Sequence, residues 1–341
     1  MRKALLLTPL LLSLLTVTCY GQRTGDLGFA SGIVNYVGDL ANEKYFPLSS
    51  AAPGLQVTFR NFLNDPDKSS TLYKPLSLEL RFSWHRLQYD ETSPVGGKSG
   101  MELRNYLRGL GFRNDLFGTM VNFTYTFYPN RFRPLYKQKF ACFLLAGAGV
   151  FYGAPKADLF HGSIDLKNRY YFWNNGTIHD VAEGSGAQGH VIQKDGVYET
   201  NLRDWHTEGE ESNAEGKNKP PYSLVNAGFP LGFGVRYGYS RNITFSAEFD
   251  YYFFLTDYLD DVSDRYATYN ELATSFPDPT KFEIAKYISD PTGKGTTGVI
   301  SPQTSPRGNP GMKDSFTFLS LEVAYKITMK KKEIYGQTAR N

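Results

Sequence analysis

Five histidines, His85, His161, His179, His190 and His206, are the residues whose chemistry must be weighed first. Imidazole titrates near neutral pH and binds metals, so histidines at ligand spacing mark acid–base or zinc sites. Four of the five lie between 153 and 227, beside Asp180, Asp204, Glu208, Glu210 and Glu211. None of them is two or four residues from another, the spacing that sets two ligands on one strand or helix face. No metal and no cofactor are therefore expected. His179 and Asp180 are adjacent, but spacing fixes no nucleophile beside them. The sequence holds no GxSxG, HExxH or glycine-rich phosphate loop. No catalytic residue is expected. Asp257, Asp260, Asp261 and Asp264 crowd one stretch without the alternating ligands and central glycine of a calcium loop. They are read as loop-folding residues, and the other link carboxylates as solvated charge.

The elements that must position these residues are strands. The 341 residues contain 37 Lys+Arg against 34 Asp+Glu, with 15% aromatic residues and two cysteines. Near-balanced charge argues against a nucleic-acid partner, and two cysteines exclude a disulfide scaffold. Arg2 and Lys3 precede an apolar run over 4–17, and Gly21 follows Cys19 in a small-x-small pattern. Residues 1–21 thus read as a secretory signal peptide. A lipoprotein site at Cys19 is disfavoured by the bulk of Thr18. Cleavage after Gly21 leaves Cys142 as the mature chain's cysteine.

Beyond residue 22, apolar and polar residues alternate with period two in 26–37, 55–61, 76–85, 117–127, 229–238, 243–256 and 317–327. An eighth segment, 140–152, is apolar on both faces, so its facing stays open. Segments of about ten residues match the ~9–11 that cross a bilayer at a tilt. Trp84, Tyr125, Phe127, Tyr237, Tyr251 and Tyr325 fall near strand ends, as interfacial girdles require. A soluble β-sandwich gives no reason for the links to alternate in length. Links over 38–54, 87–116, 153–227 and 257–316 are long; those over 62–75, 128–139 and 239–242 are short. The expected fold is an all-β, eight-stranded antiparallel transmembrane β-barrel over 22–328, with long extracellular loops at 153–227 and 257–316. A basic periplasmic tail covers 329–341, and the expected location is the outer membrane of a Gram-negative bacterium.

On this topology the inward faces carry Arg60, Arg81, Arg236 and Lys326 against Glu79, Glu248, Asp250 and Glu322. An eight-stranded barrel is just wide enough for side chains to fill. Buried charges must pair, so a salt-bridged plug is expected rather than a pore. The short links and tail are basic: Arg131, Arg133, Lys137, Lys139, Lys330, Lys331 and Lys332 form a candidate docking face. Headgroups of outer-membrane lipids fit such a face as well as a periplasmic protein does.

Two stretches carry a family likeness. They are GFASGIVNYVGDL at 28–40 and FLTDYLDDVSDRY at 254–266. Together they resemble the PorG-like outer-membrane barrels of Bacteroidota. The resemblance implies a component of type IX protein secretion that holds periplasmic lipoprotein and ring subunits against the membrane. It also assigns Asp257, Asp260 and Asp261 to the family's rim motif. The sequence thus supports a non-enzymatic barrel organising an envelope complex. The alternative is a surface-facing binding or adhesion barrel acting through its long acidic loops. A rim enzyme ranks third.

Overall fold

The computed structural model describes residues 24–40, 50–63, 75–92, 101–130, 135–214, 219–295 and 306–328, with backbone alone for 24, 101–104 and 328. The signal peptide, the basic tail and Arg131, Arg133, Lys330, Lys331 and Lys332 lie outside these residues.

Eight long strands form one closed antiparallel sheet. They are β1 (Thr24–Val37), β2 (Ala52–Phe62), β3 (Leu76–Asp90), β4 (Gly111–Phe127), β5 (Phe140–Tyr152), β6 (Val225–Gly238), β7 (Ile243–Phe254) and β8 (Ser315–Thr328). Each pairs with its neighbour in sequence, and β1 pairs with β8 from Thr24↔Thr328 to Val37↔Ser315. Closure leaves the barrel no sheet edge.

The apolar residues of the alternating pattern face out. Phe123, Leu144, Phe233 and Leu319 are each more than half exposed. A water-soluble protein rarely leaves so continuous an apolar belt bare; hydrocarbon is the solvent that suits it. No described helix is long and apolar enough to cross a membrane. The facing of β5 is resolved: Phe140, Cys142, Leu144, Val150 and Tyr152 point out, while Ala141, Phe143, Leu145 and Phe151 are buried inside. Small residues make room for the lumen's charges. A Cβ on Gly28 would sit 2.6 Å from Glu322 Oε2, and one on Gly147 would collide with the Asn122 side chain.

The β3–β4 hairpin runs beyond the expected limits of 85 and 117. Above His85 the pattern inverts: Leu87, Phe112 and Leu116 are buried inside, while Arg86, Arg113 and Asp115 face out. Arg86 Nε and Trp84 Nε1 both reach Asp115 Oδ1, at 2.8 and 3.1 Å. Polar residues outside mean water outside, so the strands here have left the apolar belt.

At this end the connections fold into a cap. It includes α1 (Met101–Arg108), α3 (Tyr269–Ser275), α4 (Pro279–Ser289) and the ladder of Tyr171–Phe172 with Ile178–His179. Another helical turn, α2 (Leu135–Gln138), lies at the opposite, turn-bearing end. Thr268 and Glu271 form a reciprocal cap on α3, and Asp278 caps α4 ahead of Pro279. One apolar core runs from Met120, Phe151, Tyr252 and Phe318 in the barrel to Tyr106, Phe160, Tyr170 and Ile288 in the cap. The cap is thus packed onto the barrel mouth, not tethered above it.

Candidate functional site

The lumen is filled in layers. Toward the turn end, Glu79 receives three arginines. Arg60 Nε and Arg236 Nη2 approach its Oε1 at 2.5 and 3.0 Å, and Arg81 Nη2 approaches its Oε2 at 2.7 Å. Arg60 also pairs with Glu322 at 3.0 Å, and Arg81 with Glu248 and with Asp250 at 3.4 Å. These side chains are at most 4% exposed. Removed from water, each charge needs such partners, because ionic desolvation costs several kcal/mol per ion, about the size of a whole domain's stability. Lys326 departs from the expectation. It is half-buried near the turn end and makes none of these pairs. Asp26, opposite both Arg60 and Lys326 in register, reaches Arg60 at 3.8 Å instead.

Above the ions lies an aromatic layer. His85 packs within about 5 Å of the rings of Tyr252, Phe316 and Phe318. Neither of its ring nitrogens has a hydrogen-bond partner among the described residues. It fills space between those rings.

At the mouth sits a knot of buried carboxylates. Asp257, Asp260, Asp261, Asp314, Glu208 and Asp39 are each at most 3% exposed. Asp39, Glu208 and Asp314 correct the expectation of solvated loop charge: the topology gathers them under the cap beside Asp257, Asp260 and Asp261, which were read as loop-folding residues, and the cap excludes water from them. Tyr36 Oη lies 2.6 Å from Asp260 Oδ2 and 2.7 Å from Asp314 Oδ1. A phenol has one proton to donate, so the second contact needs a proton on a carboxyl. Burial agrees, pushing Asp314 up to about 8 and Asp260 well above the usual carboxylate range. Asp257 and Asp261 are both raised to about 6, chiefly by burial, with Arg307 opposing the rise at Asp261. Asp261 accepts from Thr207, Tyr222 and Arg307 at 2.7, 2.6 and 3.1 Å. Glu208 accepts from the Ser263 amide at 2.7 Å and from Lys219 at 3.2 Å. Asp39 Oδ2 accepts from the Asn309 amide at 2.7 Å.

The two stretches that carry the family likeness therefore meet in space. Tyr36 and Asp39 come from one, and Asp257, Asp260 and Asp261 from the other. Glu208, Arg307 and Asp314 complete the knot, and no spacing in the sequence marked them for it.

The loop histidines go separate ways. His161 faces Asp195, His190 faces Asp180 and His206 faces Glu211, at 3.3–3.4 Å. His179 stacks on Trp173 and meets Thr177 Oγ1 at 2.9 Å. Among the described residues, no group of three or more His, Cys, Asp or Glu is arranged to hold a metal ion. At the turn end, Lys137 on α2 and Lys139 beyond it are exposed. The Lys139 ammonium lies 5.7 Å over the Tyr237 ring, and Arg241 lies 5.9 Å over Tyr136.

No family model matches the chain, and no curated protein matches it. Solved structures with similar barrels include Ail, the attachment invasion locus protein of Yersinia pestis, in complex with the heparin analogue sucrose octasulfate. It is 9% identical, with a TM-score of 0.33, covering 90% of this chain and 99% of that one. Neisserial surface protein A gives 10% identity and 0.32, covering 89% of this chain and 97% of its own. The outer membrane protein OprG of Pseudomonas aeruginosa gives 10% and 0.33, covering 91% and 99%. Likeness at this level carries no argument about activity or ligand.

Proposed function

We propose that this chain is an outer-membrane protein of a Gram-negative bacterium whose barrel serves as a non-catalytic anchor organising a cell-envelope complex. The observation that carries the reading is the filled barrel. An apolar belt sets it in lipid, and ions and rings occupy its interior, so it acts through its two ends. The likeness to PorG-like barrels supports a place in type IX protein secretion. In that reading the turn end, with Lys137 and Lys139, docks a periplasmic lipoprotein and its ring partner. The orientation follows outer-membrane barrels, whose short turns are periplasmic.

Cysteine crosslinking tests this. With Cys142→Ser as background, Lys137→Cys carrying a photoreactive maleimide is expected to capture a periplasmic protein in intact envelopes. Capture of lipid alone would reject the anchor.

One observation favours a second reading, a surface-binding barrel. The long connections share a core with the barrel, and ordered loops of this size commonly carry function.

A further inference from the structure

The cap holds a cavity of about 390 Å³ where the Tyr171–Phe172 ladder meets α3, α4 and the turn that follows α4. Small-molecule sites span ~300–1,000 Å³, so it is large enough for one or two sugar rings. Tyr171, Trp173 and Tyr269 line it. The Trp173 ring is held in place: it stacks on His179 at 3.6 Å and 11°, and its Nε1 donates to Val181 O at 2.9 Å. Tyr269 is half exposed.

Arg169 at this cavity has no carboxylate partner among the described residues, while Lys294 lies in the field of Glu183, which lines the wall together with Glu283 and Asp290. The Arg169 guanidinium lies 4.6 Å over Tyr171, and its buried Nε has no acceptor. The Lys294 ammonium donates to Phe172 O at 3.3 Å and to Asn174 Oδ1 at 2.7 Å, both neutral groups. A buried guanidinium donor without an acceptor is costly, and a planar fork beside a ring suits a carboxylate. Glu283, on the same wall, can accept hydroxyl hydrogens, although Lys286 already pairs with it at 3.0 Å.

We propose that this cavity binds a saccharide bearing a carboxylate. Its ring stacks on Tyr171 and Trp173, and Arg169 and Lys294 take its acidic group. A neutral sugar would bring neither cation a carboxylate and would leave the Arg169 Nε without a charged acceptor. An acidic peptide would satisfy them but offers no ring of hydroxyls for the aromatic wall and Glu283. The proposal does not depend on the periplasmic anchor, and either can fail alone.

The test uses full-length protein in detergent micelles, titrated with trigalacturonic acid by calorimetry and by tryptophan fluorescence. Binding is expected, with maltotriose and pentaglutamate at least tenfold weaker. Arg169→Gln and Lys294→Gln should each weaken trigalacturonate at least tenfold while heat-modifiable gel migration stays unchanged. Absent binding, equal binding of maltotriose or pentaglutamate, or unchanged affinity in both variants would overturn the proposal. Vesicles carrying acidic lipopolysaccharide separate the sources. Retention that trigalacturonate competes away supports a sugar on the same membrane. Binding of trigalacturonate without retention supports a glycan from elsewhere.

Discussion

Glu79 accepts from Arg60, Arg81 and Arg236 with two oxygens, so a single negative charge is shared by three buried guanidiniums. Glu79→Gln keeps the shape and removes the charge that three buried guanidiniums share. Breaking a buried pair this way costs about 3–5 kcal/mol. Urea unfolding in micelles should show that loss, and a change within about 0.5 kcal/mol would mean the network is slack. The sequence made the members legible, because period two put them all on one face. It did not make the partners legible, because partners follow from register. Arg60 stands directly across from Glu79 on one side and from Asp26 on the other. Lys326 lies where water competes, which an alternation pattern does not register.

The strands were readable from alternation, but their ends were not. β3 and β4 continue past the lipid belt with the same backbone and the opposite side-chain polarity. A reading tuned to apolar-out stops where the solvent changes. The cap was legible only as long acidic links, because its core draws on residues from 106 to 288 that no local period connects. Its knot carries a pH dependence whose sign follows from Asp314. The folded value near 8 lies above the ordinary 3.8, so the folded state holds the proton that the unfolded state releases. The penalty is absent below about pH 4, grows through the window up to about pH 8, and is full above it. Hydrogen exchange over 255–295 and 306–314 should therefore show a looser cap at pH 8.5 than at pH 5.5, after correction for intrinsic rates. Asp314→Asn should flatten the difference. Tyr36→Phe removes the donor shared by two buried acids and should cost about 1–3 kcal/mol, read by the temperature at which gel migration shifts.

For the whole molecule, the near balance of 37 basic and 34 acidic residues hides segregation. Charge sits in a paired lumen, a buried knot and the two ends, while the belt between the ends is apolar. A charge placed on that belt reports whether lipid surrounds it. Phe123→Arg, at a position 57% exposed, should cost about 2–4 kcal/mol if it lies at the bilayer midplane. Folding yield into phospholipid vesicles should fall accordingly, and an unchanged yield would argue against a lipid-facing wall. The seam between β1 and β8 adds a constraint of time. The chain's first strand finds one of its two partners only in its last, nearly three hundred residues later. Until Ser315–Thr328 arrives, β1 has a bare edge and the outward aromatics have no lipid to enter. An unpaired edge with exposed apolar surface aggregates, so the chain has to be escorted unfolded and to close in one late event. A chain stopped before Ser315 leaves β1 and β7 both open, and whatever its other strands have achieved, it has no barrel to insert.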